Sequence, residues 1–266
     1  MRFLRANGVA IHFSDTGGDK PALVFSNSLG TDFRIWDAVA PAFTATHRVI
    51  SYDKRGHGLS DAPPAPYLIS DHINDLAALI DQLGVKRATI VGLSVGGIIA
   101  QGLAAARPDL VQALVLSNTA HKIGAADGWN ARIDAVEKNG IGSIAANVMK
   151  LWFTPAFHAG KPELLAGCNN MLVRTPVAGY VGTCAAIRDA DMTRSTSALT
   201  IPVLCIGGDQ DGSTPPDLVR SMAALITGAE LVIIPGSGHI PCVEQPEAVV
   251  TAVRQFLSKH KLLPAS

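Results

Sequence analysis

A glycine-flanked serine between an apolar strand and a small-residue helix is the feature that most constrains this chain. Residues 87–91 predict a strand, because they end in β-branched side chains, and residues 95–106 predict a buried helix. Between them lies Gly-Leu-Ser-Val-Gly, with Ser94 at its centre. This is the spacing of a nucleophile elbow, a strained turn that exposes the serine hydroxyl and leaves no room for side chains at the flanking positions. A turn that has no catalytic role rarely needs glycine at so many positions.

A serine nucleophile needs a base, and the base needs a carboxylate that orients it. The apolar segments 202–207 and 230–234 predict two strands, and each is followed by residues of these types. Asp209 and Asp211 follow the first strand, and His239 follows the second in a glycine-rich loop. We predict that His239 is the base. One of the two aspartates is then its partner, and the order along the chain is serine, acid, histidine.

Acyl transfer places negative charge on an oxygen, and two backbone N–H groups have to converge on that oxygen. Val95 is expected to supply one of them, because it directly follows the nucleophile. The other is expected from the loop after the strand at 22–26, where the N–H of Leu29 is available. These two residues therefore predict an oxyanion hole.

Composition and charge narrow the class of protein. The 266 residues are 48% apolar and 17% charged, which suits one compact unit with a sizeable core. The net charge is zero, so nothing indicates nucleic-acid binding. The first residues are too mixed for a signal peptide, and no apolar run approaches the roughly 20 residues that span a membrane. We expect a cytoplasmic protein whose four widely spaced cysteines are reduced thiols in the core, with no metal or redox role.

Strands and helices alternate over much of the chain. A hairpin is predicted around Asn7-Gly8, and the alternation runs from residue 22 to residue 118, then resumes at 202 and ends in a helix at 246–260. This pattern predicts a mostly parallel sheet with helices on both faces. Strands are expected near 22–26, 47–52, 87–91, 112–118, 202–207 and 230–234.

The stretch between the two alternating parts has a different character. It lacks strand alternation, is expected to be helical, and is interrupted by Pro155, Pro162 and Pro176. We predict an inserted helical cap at residues 121–197 that covers the carboxyl edge of the sheet, where open α/β folds bind substrates. Residues 1–120 and 198–266 then form the core.

Several segments of both parts resemble the α/β-hydrolase superfamily and, in detail, its 3-oxoadipate enol-lactonases. They are residues 25–32 with Trp36, the turn 53–60, and residues 129–133, 151–155, 179–181 and 184–191. The resemblance implies an eight-stranded, mostly parallel sheet with a helical cap. It also implies that Asp211 is the acid, because the pattern Gly-x-x-Asp-x-x-Thr-Pro matches from Gly208 onward, which leaves Asp209 as a turn residue. Asn27-Ser28 departs from the His-Gly that many relatives carry.

The function implied by this resemblance is hydrolysis of an enol-lactone to 3-oxoadipate, in the β-ketoadipate branch of aromatic degradation, without a cofactor or a metal. The substrate would be a small lactone with one free carboxylate, and no nucleic acid or membrane partner is implied. Arg132 and Trp152 are the candidate substrate-binding residues of the cap, because a guanidinium can donate two hydrogen bonds to a carboxylate. The plain alternative is a solvated arginine and a packed tryptophan. Other candidate cations are Arg174, Arg188 and Arg194.

Two histidines outside the proposed catalytic set have expected positions. His57 lies in the turn 53–60 and is expected to shape a loop near the site, and His121 is expected to face the pocket.

Other functions on the same fold remain open at this point. A general carboxylesterase or a cofactor-free perhydrolase would share the serine, histidine and aspartate, and would differ in the cap and the pocket. A ligand receptor of this fold would keep all three residues and turn over slowly. Dehalogenase and epoxide hydrolase relatives need an aspartate nucleophile, so Ser94 argues against them.

Overall fold

The computed structural model describes residues 1–263, which form eight strands and eleven α-helices. The strands are β1 (Arg2–Ala6), β2 (Val9–Asp15), β3 (Ala22–Ser26), β4 (Arg48–Tyr52), β5 (Ala88–Leu93), β6 (Val111–Ser117), β7 (Val203–Gly208) and β8 (Glu230–Ile234). The helices are α1 (Ile69–Gln82), α2 (Val95–Ala106), α3 (Ala126–Asn139), α4 (Gly142–Trp152), α5 (Pro155–Gly160), α6 (Pro162–Val173), α7 (Val177–Asp189), α8 (Thr193–Ser197), α9 (Pro216–Leu225), α10 (Pro241–Glu244) and α11 (Pro246–Lys259).

All eight strands belong to one sheet, in the order β1-β2-β4-β3-β5-β6-β7-β8. The pairs β1/β2 and β2/β4 are antiparallel, and the remaining neighbours are parallel. The expected eight-stranded, mostly parallel sheet is therefore confirmed. Because β3 to β8 run in the same direction, their carboxyl ends meet at one edge, and the loops after β3, β5, β7 and β8 carry the predicted site residues to that edge.

The central strands are buried on both faces, which explains their continuous apolar sequences. β5 extends two residues beyond its expected end, because Gly92 and Leu93 still pair with β6. At the sheet edge, the hairpin turn between β1 and β2 has positive φ angles of 48° at Asn7 and 84° at Gly8, as a tight two-residue hairpin turn requires. Most predicted element ends lie within one or two residues of the observed ones.

Residues 121–197, which we call the cap segment, contain α3 to α8 and connect β6 to β7. Pro155 and Pro162 are the first residues of α5 and α6, and Pro176 directly precedes α7. Proline suits these positions because the first N–H groups of a helix have no partner inside the helix. The helical nature of the segment agrees with its sequence pattern, while the division of the chain into a core and a cap stays a prediction.

The four cysteines are free and buried, as expected. Burial raises the pKa of Cys168 to about 11 and the pKa of Cys184 to about 12, so these thiols stay protonated near neutral pH. Within residues 1–263, no helix combines the length and the apolar character that a membrane crossing requires.

Two leucines test how far the sheet core stabilises the fold. Leu114 of β6 is fully buried, whereas Leu231 of the edge strand β8 is 40% exposed. We expect Leu114→Ala to lower the free energy of unfolding by about 2–5 kcal/mol, because it leaves a cavity in a close-packed interior. The matched change Leu231→Ala should cost less than about 1 kcal/mol. Urea unfolding of both variants measures the difference, and equal losses would contradict it.

Candidate active site

Ser94 occupies the strained turn that its sequence context predicts. It lies between β5 and α2 with φ 56° and ψ −119°, a combination that non-glycine residues rarely adopt. The turn is packed so tightly that a Cβ on Gly96 would lie 2.2 Å from the carbonyl oxygen of Ser26. Only glycine fits there. The surrounding structure therefore holds the serine at the amino end of α2.

His239 and Asp211 are joined directly. The Nδ1 atom of His239 lies 2.9 Å from Oδ2 and 3.1 Å from Oδ1 of Asp211, and both side chains are buried. Asp209 is exposed, and its Oδ1 accepts the backbone N–H of Ser237 at 3.2 Å. Of the two aspartates that the sequence offers, Asp211 is thus the one in contact with the histidine.

Four further donors surround the Asp211 carboxylate. They are the backbone N–H groups of Ser213 (2.7 Å) and Thr214 (2.9 Å), the Thr214 hydroxyl (2.7 Å) and the side-chain amide of Asn118 (2.9 Å). Burial by itself raises the pKa of Asp211, but the neighbouring His239 and the hydrogen bonds from Thr214 outweigh it and lower that pKa below its usual value. The carboxylate therefore stays ionised and can orient a histidine.

Asn118 is a residue that the sequence did not single out. It follows β6 with a positive φ of 46°, and its amide donates to Asp211 and, at 3.1 Å, to the carbonyl of Gly238. The hydroxyl of Ser117 donates to the Asn118 amide oxygen at 2.9 Å, which fixes the orientation of the amide. Asn118 thereby ties the aspartate loop to the histidine loop.

The cap segment also holds the histidine loop. The backbone N–H of His239 donates to the carbonyl of Trp152 at 2.7 Å. Glu244 bridges the same two regions, because one carboxylate oxygen accepts the N–H of Gly238 at 2.7 Å and the other accepts the N–H of Thr154 at 3.1 Å. The position of the histidine is therefore coupled to the end of α4.

The two N–H groups expected in the oxyanion hole are free to bind a ligand. Within residues 1–263, neither Leu29 nor Val95 donates its backbone N–H to an acceptor. Val95 is the first residue of α2, so the positive end of the helix dipole lies at the same point. The neighbouring Gly30 N–H donates to Nε2 of His57 at 2.9 Å.

His57 supports this loop, as expected for a structural residue. Its Nδ1 donates to the carbonyl of Arg55 at 3.1 Å, and its Nε2 accepts from Gly30. Burial, followed by the charge of Lys54, lowers the pKa of His57 well below its usual value. The ring is therefore neutral, which it must be in order to accept the glycine N–H.

A cavity of about 240 Å³ brings the predicted residues together. Ser94, His239, Leu29, Arg132 and Trp152 all line it. Asp211 and Val95 are not part of this lining, but Asp211 contacts His239 and Val95 directly follows Ser94. Within the described residues, no hydrogen bond joins the Ser94 hydroxyl to His239, although both face the same space, and such contacts are often loose before substrate binds. The remaining walls are largely apolar or glycine and include Ile123, Gly124, Gly128, Trp129, Leu151, Tyr180 and Ile187.

Arg132 is the cation of this cavity. Its guanidinium lies 5.1 Å from the ring centre of Trp129, and within residues 1–263 it forms no ion pair with a carboxylate. The other candidate arginines lie elsewhere: Arg188 pairs with Asp189 at 2.8 Å, and Arg174 and Arg194 are exposed outside the lining. The expectation for His121 is wrong. It does not line the cavity, and its carbonyl accepts the backbone N–H of Met192 at 2.7 Å.

Comparison with known proteins decides the family. The family model of the alpha/beta hydrolase fold matches residues 21–246. The chain belongs to the α/β-hydrolase family. Two curated relatives are 3-oxoadipate enol-lactonases 2 and 1 of Acinetobacter baylyi. The first is 37% identical over 96% of this chain and 96% of that protein, and the second is 34% identical over 89% and 88%.

A solved structure gives the same result. The crystal structure of the enol-lactonase from Burkholderia xenovorans LB400 has a TM-score of 0.94 and 35% identity, and the match covers 97% of this chain and all of that one. The resemblance to 3-oxoadipate enol-lactonases that the sequence suggested is thereby confirmed. The expectation of an enzyme, a carboxylic ester hydrolase, is confirmed by the same relatives.

Sequence patterns missed the residues that hold the site together from a distance. Asn118 could have been suspected, since an asparagine that ends a buried strand in this family lies at the carboxyl edge of the sheet. Glu244 gave no such signal, because a glutamate at the end of a short helix looks in sequence like an ordinary surface residue. Trp129 and Tyr180 were included in the segments that carry the family resemblance, without a role of their own.

The two aspartates of the loop after β7 form a matched pair of variants. We expect Asp211→Asn to lower kcat for ester hydrolysis by about 10⁴-fold, because the amide cannot stabilise a protonated His239 and favours the wrong tautomer. Asp209→Asn should stay within about threefold of the parent, because it has no contact with the histidine. Steady-state rates with a chromogenic acetate ester measure both. A larger loss in Asp209→Asn would assign the role to the other acid.

The role of the Asn118 amide can be tested by replacing this donor with an acceptor. Asn118→Asp places a second carboxylate against Asp211, which raises the pKa of Asp211 and should move the acidic limb of the kcat–pH profile to higher pH. Asn118→Gly tolerates the positive φ and only removes the amide, so it should lower kcat about tenfold without that displacement. If the Asn118→Asp profile coincided with that of the parent, the amide would not control the carboxylate.

Proposed function

We propose that this protein hydrolyses 3-oxoadipate enol-lactone to 3-oxoadipate, with Ser94, His239 and Asp211 as a catalytic triad. The observation that carries the proposal is the composition of one cavity: a serine on a nucleophile elbow, a buried histidine on a carboxylate, and an arginine without an acidic partner in the described part of the chain. The names of the relatives support the substrate, and a place in the β-ketoadipate pathway follows from it.

The first half of the reaction opens the lactone ring. His239, oriented by Asp211, accepts the proton of the Ser94 hydroxyl as its oxygen attacks the lactone carbonyl. The N–H groups of Leu29 and Val95 donate to the carbonyl oxygen as it becomes negative. The ring C–O bond then breaks, and the leaving enolate takes the proton from His239. The leaving group stays tethered to the acyl chain, so nothing departs from the cavity at this stage.

The second half releases the product. His239 accepts a proton from water, the hydroxide adds to the acyl carbonyl, and Ser94 leaves with the proton that His239 returns. The product carries a new carboxylate beside the one that the substrate brought, and its enol tautomerises to the ketone. No cofactor enters this scheme. Direct attack by water would give the same product, and trapping of an acyl adduct on Ser94 separates the two routes.

We infer that Arg132 binds the substrate's free carboxylate and that Trp152 forms an apolar wall beside the ring. A guanidinium that packs over Trp129 and faces a small cavity can donate two parallel hydrogen bonds to an anion. The buried indole of Trp152 excludes water from the lactone. A general carboxylesterase for neutral esters would gain nothing from such a cation, and a slow ligand receptor would not turn the lactone over.

The substrate assignment is tested with two arginines and two substrates. The enol-lactone is generated in situ, and its hydrolysis is followed by the fall in ultraviolet absorbance. In Ser94→Ala this fall should slow to the spontaneous rate. Arg132→Met should lower kcat/KM for the lactone by about 10- to 100-fold, as expected for a lost charge-assisted contact, and change hydrolysis of a neutral acetate ester by less than about threefold. Arg188→Met is the matched control and should match the parent on both.

The opposite results are equally informative. If the parent cleaved neutral esters while the lactone decayed only spontaneously, the general esterase function would replace this one. Equal losses on both substrates in Arg132→Met would show that the arginine supports the fold of the cap segment instead of the substrate carboxylate.

A further inference from the structure

Lys54 is a buried lysine that the proposed mechanism does not use. Its residue is 1% exposed, and its ammonium contacts the carbonyl oxygens of Ser28 (2.5 Å) and Thr31 (3.4 Å). Within residues 1–263 it forms no ion pair. An ammonium group removed from water without a carboxylate partner is costly for the fold.

The position of the first contact connects Lys54 to the oxyanion hole. The carbonyl of Ser28 and the N–H of Leu29 belong to one peptide group. In a planar trans peptide the carbonyl and the N–H point in opposite directions, so fixing one of them fixes the other. With the Ser28 oxygen held by Lys54, the Leu29 N–H points away from the lysine, and Leu29 lines the cavity.

We propose that Lys54 is a positioning residue for catalysis, whose ammonium polarises the Ser28–Leu29 peptide and, together with the Thr31 hydroxyl, holds it so that the Leu29 N–H is aimed at the developing oxyanion. The proposal rests on the function proposed above and concerns the same site. A positive charge behind the carbonyl withdraws electron density from the peptide, which makes the N–H a stronger donor. Its field also favours negative charge in the cavity, where little water screens it.

The charged and titratable groups near Lys54 set when it is protonated. Burial lowers the pKa of Lys54 to about 7, while the carboxylates of Asp53 and Asp32 oppose this effect. Burial lowers the pKa values of His57 and His72 well below the usual one, and the nearby charge of Lys54 lowers them further. The two histidines are therefore neutral, and Lys54 is the group here that changes charge near neutral pH.

The loop does not need Lys54 for its own hydrogen bonds. The Ser28 carbonyl also accepts the hydroxyl of Thr31 at 2.9 Å, and the Thr31 carbonyl also accepts the side-chain amide of Asn27. Replacing Lys54 with methionine removes a buried charge and leaves neither carbonyl without a donor. The variant is therefore expected to fold with undiminished stability.

The experiment compares Lys54→Met, Lys54→Gln and a control, Tyr52→Phe, in the full-length chain. Tyr52 is buried nearby and its hydroxyl lies 3.0 Å from that of Ser26, so the control removes a buried polar group without touching the Ser28–Leu29 peptide. We measure kcat and KM for the enol-lactone and for a neutral acetate ester between pH 5 and pH 9, and the melting temperature of each variant.

Lys54→Met should lower kcat about 10- to 100-fold on both substrates with KM within about threefold, which is below the cost of deleting an oxyanion donor outright. Its melting temperature should not fall. In the parent, kcat should fall at alkaline pH as Lys54 loses its proton, and this limb should vanish in Lys54→Met. Lys54→Gln should lose the alkaline limb as well, because its side chain is one atom shorter than that of lysine and has no charge to lose. Tyr52→Phe should keep the parent's kcat and pH profile.

Three results would overturn the proposal. They are a parent-like kcat in Lys54→Met, a rate loss that accompanies a lower melting temperature with an unchanged pH profile, and an alkaline limb that persists in Lys54→Gln. A parent enzyme that hydrolyses neither substrate, or a Ser94→Ala variant as active as the parent, would overturn the proposed function and this inference with it. Parent activity that needs Ser94 but not Lys54 would overturn the inference alone.

Discussion

The close approach of backbone to backbone beneath Ser94 is the constraint on which the site depends. Gly96 lies so near the Ser26 carbonyl that no side chain fits between them. The end of β3 therefore packs directly against the start of α2. The same contact sets the distance between the loop after β3 and the serine. The N–H groups of Leu29 and Val95 therefore approach the same region from two different elements.

The polar groups behind the cavity are tied together across the sheet. Asn118 at the end of β6 binds the carboxylate of Asp211 and the backbone of the histidine loop, so three strand ends share one network. Every oxygen of the buried carboxylate has donors, which is the condition under which a buried charge is tolerated. Asp211 thus stays ionised because of its surroundings, although burial alone would favour the neutral acid.

Much of this arrangement could be predicted from the sequence, for a physical reason. An elbow needs glycines at fixed spacings, a buried parallel strand needs a continuous apolar run, and proline marks helix starts, so each leaves a local trace. Asn118 leaves only its place after a buried strand, and Glu244 leaves no trace, because the contacts that matter join them to residues far along the chain. His121 shows the converse: its place after β6 suggested the pocket, but it is not among the residues that line the cavity.

The backbone bond from His239 to Trp152 restricts how the cavity can open. The carbonyl that holds the histidine loop is at the end of α4, so a rigid movement of the whole cap segment would displace the base together with the cap. The part of the wall that includes Ile123, Trp129 and Arg132 forms no comparable hydrogen bond, in the described residues, to the loops that carry Asp211 and His239. Movement of this wall would carry Arg132, and with it the binding point for the substrate's charge, while the proposed triad stays assembled.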